Sequence, residues 1–159
     1  MIVVSNSSPL RYLVLVDAVQ VLPQLFGQVA IPPAVSYELS RTGTPQPVRD
    51  FMAALPPWLK ITAPAIADPS LHVHWGEAQA ILLAQELKAT RLLIDDRKAL
   101  AAAQKRGVKT TRTLALLVLA AEMQHIDLAD TFDRLKRTNF RAAPSLLDNI
   151  LRDFVRRKS

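Results

Sequence analysis

The chain has 159 residues, of which 50% are hydrophobic and 21% are charged. This length suits one domain with a single core, and the composition is that of a globular protein rather than a disordered chain. No cysteine occurs, which excludes a disulfide framework, a thiolate metal site and a cysteine nucleophile. Because residues 114–121, the longest apolar run, cannot span a bilayer and the first residues lack a signal-peptide pattern, we expect a cytoplasmic protein without a membrane segment.

The net charge of +6 is unevenly distributed along the chain. Residues 1–96 carry 6 basic and 8 acidic side chains (net −2), whereas residues 97–159 carry 14 and 6 (net +8). A basic segment of this kind favours a polyanionic partner such as nucleic acid. Solvated helix faces and a basic tail explain the same charge equally well, so the charge alone leaves both interpretations open.

Five short β-branched or aliphatic runs predict strands, and longer helical patterns separate them. The runs are residues 2–4, 29–31, 59–61, 92–94 and 108–110. Ser7-Ser8-Pro9 and Pro32-Pro33 predict helices that begin directly after the first two strands, with Ser7 and Ser8 supplying capping hydroxyls. Strands joined by helices imply right-handed crossovers and a mainly parallel sheet in a layered α/β domain.

The helical patterns are clearest over Gly76–Leu87 and Arg97–Arg106. From Thr113 onward the pattern is entirely helical. We therefore expect one domain over residues 1–159, in which a helical, basic C-terminal extension covers about residues 126–159.

Polar side chains follow the predicted strands at the edge where the carboxyl ends of the strands meet. Asn6 comes directly after the first strand, and Asp95 and Asp96 come directly after the fourth. Glu38 lies about one and a half turns into the helix that follows the second strand, and Glu77 begins the helix before the fourth. Ligands of parallel sheets bind at this edge, so we expect these side chains to face one pocket.

Carboxylates that converge on one pocket repel each other unless a hard divalent cation neutralises them, and Mg²⁺ or Mn²⁺ is the expected ion. Such a cation activates water and stabilises the phosphate during phosphodiester hydrolysis. Acidic residues near helix N-termini also stabilise the helix dipole, which explains any one of them without a metal. His72 and His74 form a possible metal pair, but without a third ligand we interpret them as loop histidines.

Missing motifs exclude several other kinds of site. The 4 glycines form neither a phosphate-binding P-loop nor a dinucleotide fingerprint. A serine-hydrolase elbow is absent from the sequence. A receiver-type phosphorylation site would need paired acids after the first strand, where Asn6 stands instead.

Several stretches at the predicted strand ends carry a family resemblance. They are Val4-Ser5-Asn6-Ser7-Ser8-Pro9-Leu10, Ile31-Pro32-Pro33-Ala34-Val35 with Glu38-Leu39, Gly76-Glu77-Ala78-Gln79-Ala80-Ile81, and Leu93-Ile94-Asp95-Asp96-Arg97-Lys98-Ala99. In this order they resemble the PIN-domain-like family of unknown function that is related to the VapC toxins. The resemblance covers residues 2 to about 125.

The resemblance implies an α/β, PIN-like three-layer fold in which helices flank a central, mainly parallel five-stranded sheet. It implies a metal-dependent endoribonuclease, the toxin of a toxin–antitoxin pair, which hydrolyses RNA phosphodiester bonds with Mg²⁺ or Mn²⁺. The implied partners are the RNA substrate, a small cognate antitoxin protein and a second copy of the chain in a homodimer.

The expected site residues fall into three overlapping sets. The family's acidic quartet, the acid beside it and a polar neighbour form the catalytic set, which is Asn6, Glu38, Glu77, Asp95, Asp96 and Thr113. The expected metal ligands are Asn6, Glu77, Asp95 and Asp96. The expected contacts to nucleic acid are Arg97, Lys98 and Arg112.

Two positions depart from the family pattern. Many relatives carry aspartate where Asn6 stands, so the first ligand here is a neutral carbonyl and metal binding is weaker. Relatives tend to show a Gly-Thr-Leu-Gly turn where this chain has Arg112-Thr113-Leu114-Ala115, and Arg112 adds a cation near the expected phosphate. Asn6 keeps a second interpretation open, in which the chain is a catalytically weak or inactive PIN-like module that binds nucleic acid or a partner protein.

Overall fold

Five parallel strands form the centre of the structure, a computed structural model that describes residues 1–158. The strands are β1 (Ile2–Ser5), β2 (Gln28–Ile31), β3 (Leu59–Ile61), β4 (Arg91–Leu93) and β5 (Thr110–Thr111). Their order across the sheet is β3-β2-β1-β4-β5, and every neighbouring pair is parallel. The strand order reverses between β1 and β4, which opens a crevice at the carboxyl ends of these two strands.

Helices cover both faces of the sheet. They are α1 (Ser7–Leu15), α2 (Val21–Phe26), α3 (Pro33–Ser40), α4 (Gln46–Ala53), α5 (Trp75–Glu86), α6 (Arg97–Lys105), α7 (Thr113–Glu122), α8 (Leu128–Lys136) and α9 (Pro144–Lys158). Helices α5 and α6 pack on one face, and the remaining helices pack on the other. This is the α/β fold with a flanked parallel sheet that the sequence predicts. Within the described residues, none of these helices has the length and hydrophobicity needed to cross a bilayer.

The alternation of side chains along the strands divides the core into two hydrophobic clusters. Val3 belongs to one cluster and Val4 to the other, because successive strand residues face opposite sides of the sheet. Helices α8 and α9 contribute buried Phe132 and Leu147 to the larger cluster. Fully burying a side chain of this size contributes roughly 1.5–3 kcal/mol, so the same core holds both helices on the sheet.

The predicted elements agree with the structure in type and order, and the boundaries of four strands differ by one or two residues, most of all in the fifth. The strands and the helices predicted over residues 76–87 and 97–106 are all present. The sequence predicts the fifth strand at residues 108–110, whereas it lies at Thr110–Thr111. The N–H of Val108 donates to the carbonyl of Ala103 at the end of α6, so Val108 belongs to the turn that precedes the strand.

Candidate active site

The side chains predicted for catalysis lie at one edge of the sheet, where the parallel strands end. Asn6 follows β1 directly, Asp95 and Asp96 follow β4 after one intervening residue, Thr113 begins α7, and the others belong to α3 and α5. In chain order they are Asn6, Glu38, Glu77, Asp95, Asp96 and Thr113. The structure therefore brings the predicted set together, and the catalytic role of its members stays a prediction.

Asn6 is buried in the site, and its side chain has no partner. It is 6% exposed, and its backbone N–H donates to the carbonyl of Leu93 at 2.9 Å, which continues the pairing of β1 with β4. As the N-cap residue of α1 it makes no side-chain capping hydrogen bond, and its amide makes no other hydrogen bond within residues 1–158. The unpaired amide therefore has the capacity to contact a ligand.

Asp95 accepts hydrogen bonds on both of its carboxylate oxygens. Oδ1 accepts from the backbone N–H of Thr113 at 2.9 Å. Oδ2 accepts from the hydroxyl of Thr113 at 2.6 Å and from the hydroxyl of Ser8 at 2.8 Å. The carboxylate thus joins β4 to the N-termini of α1 and α7, where the helix dipoles also favour negative charge.

The hydroxyls of Ser7 and Ser8 hold acidic side chains rather than the helix backbone. The sequence predicts that they cap α1, and this prediction is wrong, because α1 begins at Ser7 with Asn6 at the cap position. Ser7 Oγ donates to Glu38 Oε2, and Ser8 Oγ donates to Asp95 Oδ2, both at 2.8 Å. Two adjacent serines therefore connect α1 to acids that lie 31 and 87 residues away in the chain.

Glu38 has one carboxylate oxygen that is buried without a hydrogen-bond donor. This oxygen, Oε1, lies 3.2 Å from Nδ1 of His74, and the contact is an ion pair only when His74 is protonated. When Nδ1 instead accepts a hydrogen bond from the N–H of Gly76, it has no proton to donate to Oε1. A Cβ on Gly76 would lie 2.5 Å from Oε1, so glycine leaves the room that the Glu38 carboxylate occupies.

Glu77 and Asp96 stabilise the N-termini of α5 and α6, and each keeps one oxygen unpaired. Glu77 Oε1 accepts from the N–H of His74 at 3.3 Å, and Asp96 Oδ2 accepts from the N–H of Ala99 at 2.9 Å. Within residues 1–158, the second oxygen of each carboxylate accepts no hydrogen bond. Burial raises the pKa of Glu77, and the negative charges of Asp96 and Glu38 raise it further. These acids are therefore close enough to repel one another.

The oxygen donors of the site suit a hard divalent cation. Glu38, Glu77 and Asp96 each have one unpaired carboxylate oxygen, and Asn6 adds a neutral amide oxygen. Carboxylate and amide oxygens are the ligands that Mg²⁺ and Mn²⁺ prefer. In the described part of the chain, no three His, Asp or Glu side chains are already arranged as a metal site. Binding a cation therefore requires these side chains to rotate towards one another.

Cationic side chains surround a cavity beside the acids. The cavity has a volume of about 780 Å³, and Asp95 and Asp96 form part of its wall. Two of the predicted nucleic-acid contacts, Arg97 and Arg112, line it, and Arg112 Nη2 donates to the carbonyl of Asp95 at 2.9 Å. The third, Lys98, is exposed on α6 and is not part of the cavity wall.

Sequence reasoning missed further side chains at the site. Arg11 and Arg141 line the cavity, and His74 lies against Glu38. Arg11 follows Ser7 and Ser8 by one helical turn on α1, so helical spacing could have identified it. Arg141 comes from the segment between α8 and α9, and no local sequence signal distinguishes it. His74, in the connection before α5, belongs to the possible metal pair that we interpret from the sequence as loop histidines.

A family model for the PIN domain matches residues 2–156. The chain belongs to the PIN-domain family. It is also similar in structure to a PilT N-terminus domain protein from the hyperthermophilic archaeon Sulfolobus solfataricus, with a TM-score of 0.57, 18% sequence identity, and coverage of 80% of this chain and 98% of that protein. At this identity the likeness shows a shared fold. No curated protein matches the chain.

Membership of the PIN family confirms the resemblance that the sequence motifs carry. The family match extends to residue 156, past the limit of about residue 125 that the motifs reach, and so includes α8 and most of α9. PIN domains are generally nucleases, and they generally use divalent metal ions. The oxygen donors described above are compatible with such a metal.

Proposed function

We propose that this PIN domain is a metal-dependent endoribonuclease with Mg²⁺ or Mn²⁺ as its cofactor. The observation that carries the proposal is unused ligand capacity: the Asn6 amide and one oxygen on each of three carboxylates lack hydrogen-bond partners within residues 1–158. Of these groups, Glu38 Oε1 is buried from water, and leaving such a group unsatisfied costs free energy, which a bound ligand recovers. When bound, the cation lowers the pKa of water and offsets the charge of the phosphate.

Other residues position these ligands and neutralise the substrate. Asp95 acts as a positioning residue in this proposal, in addition to the metal-ligand role that the resemblance implies, because its two oxygens accept hydrogen bonds from Ser8 and Thr113. Thr113 fixes the Asp95 carboxylate, and Ser7 fixes that of Glu38. Arg112 donates to the neutral backbone carbonyl of Asp95, so the positive charge of its guanidinium stays available to offset the negative charge of a phosphodiester.

Exposed aromatic rings beside the acids support single-stranded RNA as the substrate. Tyr37 and Trp75 are 62% and 56% exposed, and their ring centroids lie 6.5 Å apart in an edge-to-face arrangement. They are adjacent in the chain to Glu38 and Gly76, which contact each other. Stacking of an unpaired base on such a ring contributes about 1–3 kcal/mol and tolerates any base.

The test of this function is metal-dependent cleavage of RNA by the purified protein. Cleavage should be slow with Mn²⁺ or Mg²⁺ and absent with a chelator. Glu77→Gln and Asp96→Asn should each lower the rate roughly 100-fold or more, because each removes a carboxylate charge from the set. Asp68→Asn is the matched control, since Asp68 pairs with Arg106 just beyond the opposite end of α6. If both site variants keep the wild-type rate, the assigned acids are wrong.

We also propose that the enzyme is the toxin of a toxin–antitoxin pair, that it acts in the cytoplasm and that it forms a homodimer. The similarity to VapC-related proteins supports the first part. The apolar groove between α7 and α9, lined by Val118, Leu119 and Ile150, supports an interface with a protein partner. Co-expression with the neighbouring reading frame, followed by size determination, tests both partners. A lone monomer at all concentrations would rule them out.

A second function has specific support, namely a catalytically weak or inactive PIN-like module that binds nucleic acid or a partner protein. Asn6 supplies no charge to the site, and in the described residues no three acids are arranged as a metal site. Calorimetric titration with Mg²⁺ discriminates between the two functions. Saturable binding that Asp96→Asn weakens supports the enzyme, and the absence of binding supports the module.

A further inference from the structure

The cavity beside the acids has the size and shape of a small-ligand site. Its walls are α1, the N-termini of α6 and α7, the segment between α8 and α9, and the first turn of α9. Its volume of about 780 Å³ lies within the range of roughly 300–1,000 Å³ that is typical of such sites. Because Asp95 and Asp96 belong to its wall, a ligand in the cavity would adjoin the proposed catalytic site.

The cavity is lined by arginines that have no acidic partner. They are Arg11, Arg97, Arg112 and Arg141. Within residues 1–158 none of them forms an ion pair. Several arginines elsewhere in the chain also lack an acidic partner, so what distinguishes these four is that they line one cavity. The Nε of Arg11 is in addition buried without a hydrogen-bond acceptor. Unpaired guanidinium groups around a cavity indicate an anionic ligand, and their planar geometry matches that of phosphate.

The remaining wall of the cavity is apolar and aromatic. Leu114, Ala142 and Leu146 line it together with the rings of Tyr12 and Phe140, whose centroids lie 4.9 Å apart. The Tyr12 hydroxyl donates to Asn139 Oδ1 at 2.7 Å, which ties α1 to the segment that carries Phe140 and Arg141. The ligand therefore needs an anionic part and a flat apolar part in one molecule.

We propose that this cavity is a nucleotide subsite, which holds one unpaired nucleotide of a single-stranded RNA next to the phosphodiester that the acids attack. The arginines bind its phosphate, and the base lies against the apolar wall. A cavity of this size admits a single splayed nucleotide but not a duplex. That the acids cleave this RNA rests on the proposed nuclease function, whereas RNA binding in the cavity does not.

The test is RNA binding in the presence of a chelator, measured by the anisotropy of fluorescein-labelled octauridine. Arg11→Ala and Arg141→Ala should each weaken binding about tenfold, and each should reduce the slope of log affinity against log salt by about one. Arg91→Ala is the matched control, because Arg91 is exposed at the amino end of β4, at the opposite edge of the sheet. It should leave both quantities unchanged. Equal affinities for all four proteins would overturn the proposal.

Competition experiments identify the ligand class. Uridine monophosphate should displace the labelled RNA at a lower concentration than inorganic phosphate does, because its base adds contacts with the apolar wall. Equal potency would reject the base-binding half of the proposal. An octaglutamate peptide that binds in an Arg11-dependent manner and more tightly than the RNA would reassign the cavity to an acidic protein segment. If Arg11→Ala does not fold, Arg141→Ala decides alone, because Arg141 is exposed in the segment between α8 and α9.

The failure of this inference differs from the failure of the proposed function. If Glu77→Gln stops metal-dependent cleavage while the arginine variants bind RNA normally, the nuclease stands and the subsite is wrong. If no RNA is cleaved under any condition while the arginine variants lose binding, the subsite stands and the nuclease is wrong.

Discussion

Charged side chains cluster at both ends of α5 and α6, and the two clusters differ in how completely their groups are paired. Near the C-terminal ends, Arg106 donates to Asp68 at 2.6 Å and also to Ser70 and Gln85. Hydrogen bonds from Ser70 and Arg106 lower the pKa of Asp68 to about 2. The protein itself neutralises both charges at this end.

At the N-terminal ends, Glu38, Glu77 and Asp96 each keep one carboxylate oxygen without a hydrogen-bond partner among the described residues. Burial and the nearby Asp96 raise the pKa of Glu77, whereas hydrogen bonds lower the pKa of Asp68. The Oε1 of Glu38 and the amide of Asn6 accept no hydrogen bond from the described residues, and the neighbouring cavity is lined by unpaired arginines. Perturbed and incompletely paired acids are more common at functional sites than elsewhere, so this difference supports the proposal that the N-terminal ends bind a ligand.

Two glycine variants, one near each end of these helices, should affect different properties: one should lower RNA cleavage, and the other should lower stability. Gly76→Ala should lower RNA cleavage roughly 10–100-fold with little change in melting temperature, because the new Cβ displaces only the flexible carboxylate of Glu38. Gly107→Ala should leave cleavage unchanged and lower the melting temperature by about 2–4 °C, because Gly107 has a φ of +76° that costs a side-chain residue about 1 kcal/mol. Cleavage assays and thermal unfolding of both variants test this. Normal cleavage by a folded Gly76→Ala protein would count against Glu38 as a site residue.

Asp95→Ala should destabilise the fold far more than Asp68→Ala. The Asp95 carboxylate accepts from Thr113 and Ser8 and so joins β4 to α1 and α7, whereas Asp68 lies in an exposed connection. Losing these charge-assisted hydrogen bonds costs about 3 kcal/mol, or roughly 6–12 °C in melting temperature for a chain of this size. Denaturant unfolding of both variants provides the comparison. Equal denaturant midpoints for the two variants would show that the Asp95 carboxylate does not position its neighbours. The role of Asp95 would then be that of a metal ligand alone.

The fold was predictable from sequence because its signals are local. Each strand is a short β-branched or aliphatic run, and strands joined by helices in one chain imply a parallel sheet. The position of Asn6 and Asp95 follows from the same rule, since they lie one and two residues beyond the ends of adjacent parallel strands. The fifth strand was misplaced because apolar Val108 looks like part of a strand, while its backbone bonds to the end of α6.

The finer structure of the site was not predictable because its contacts join residues that are distant in the chain. Ser8 and Asp95 are 87 positions apart, and a serine before a proline predicts a helix cap far more readily than a carboxylate partner. Arg141 reaches the cavity only because α8 and α9 pack on the core and return the segment between them to α1. Which charges remain unpaired is likewise a property of packing, which the composition does not reveal.

Asn6→Asp should sharpen the contrast between the two ends by adding one more unpaired charge to the site. In a chelator the variant should be less stable than wild type, because the new carboxylate repels the acids already there. With Mg²⁺ it should bind the ion roughly tenfold more tightly and cleave RNA faster, because the attraction between opposite charges exceeds that repulsion. Asn149→Asp, on the exposed face of α9, is the matched control and should show neither effect. A destabilised Asn6→Asp protein that is indifferent to Mg²⁺ would favour the inactive module.

The smallest expected effect is a pH-dependent stabilisation by Glu77→Gln. The folded protein raises the pKa of Glu77 above its ordinary value of 4.5. As pH rises past this ordinary value, the native state therefore binds more protons than the unfolded chain. The free energy of unfolding falls as pH rises through the raised pKa. Glutamine keeps the acceptor for the His74 N–H but carries no charge, so it should escape this loss. The dipole of α5 favours a negative charge by about 0.3–1 kcal/mol, which limits the gain to about 1–3 °C near neutral pH.

In a chelator, therefore, the melting temperatures of the two proteins should coincide near pH 4 and diverge above it, with the variant higher. Saturating Mg²⁺ should reverse that order at neutral pH, because the ion stabilises the wild-type carboxylate. A constant difference at every pH would mean that the glutamine acts through packing or capping rather than through the unpaired charge.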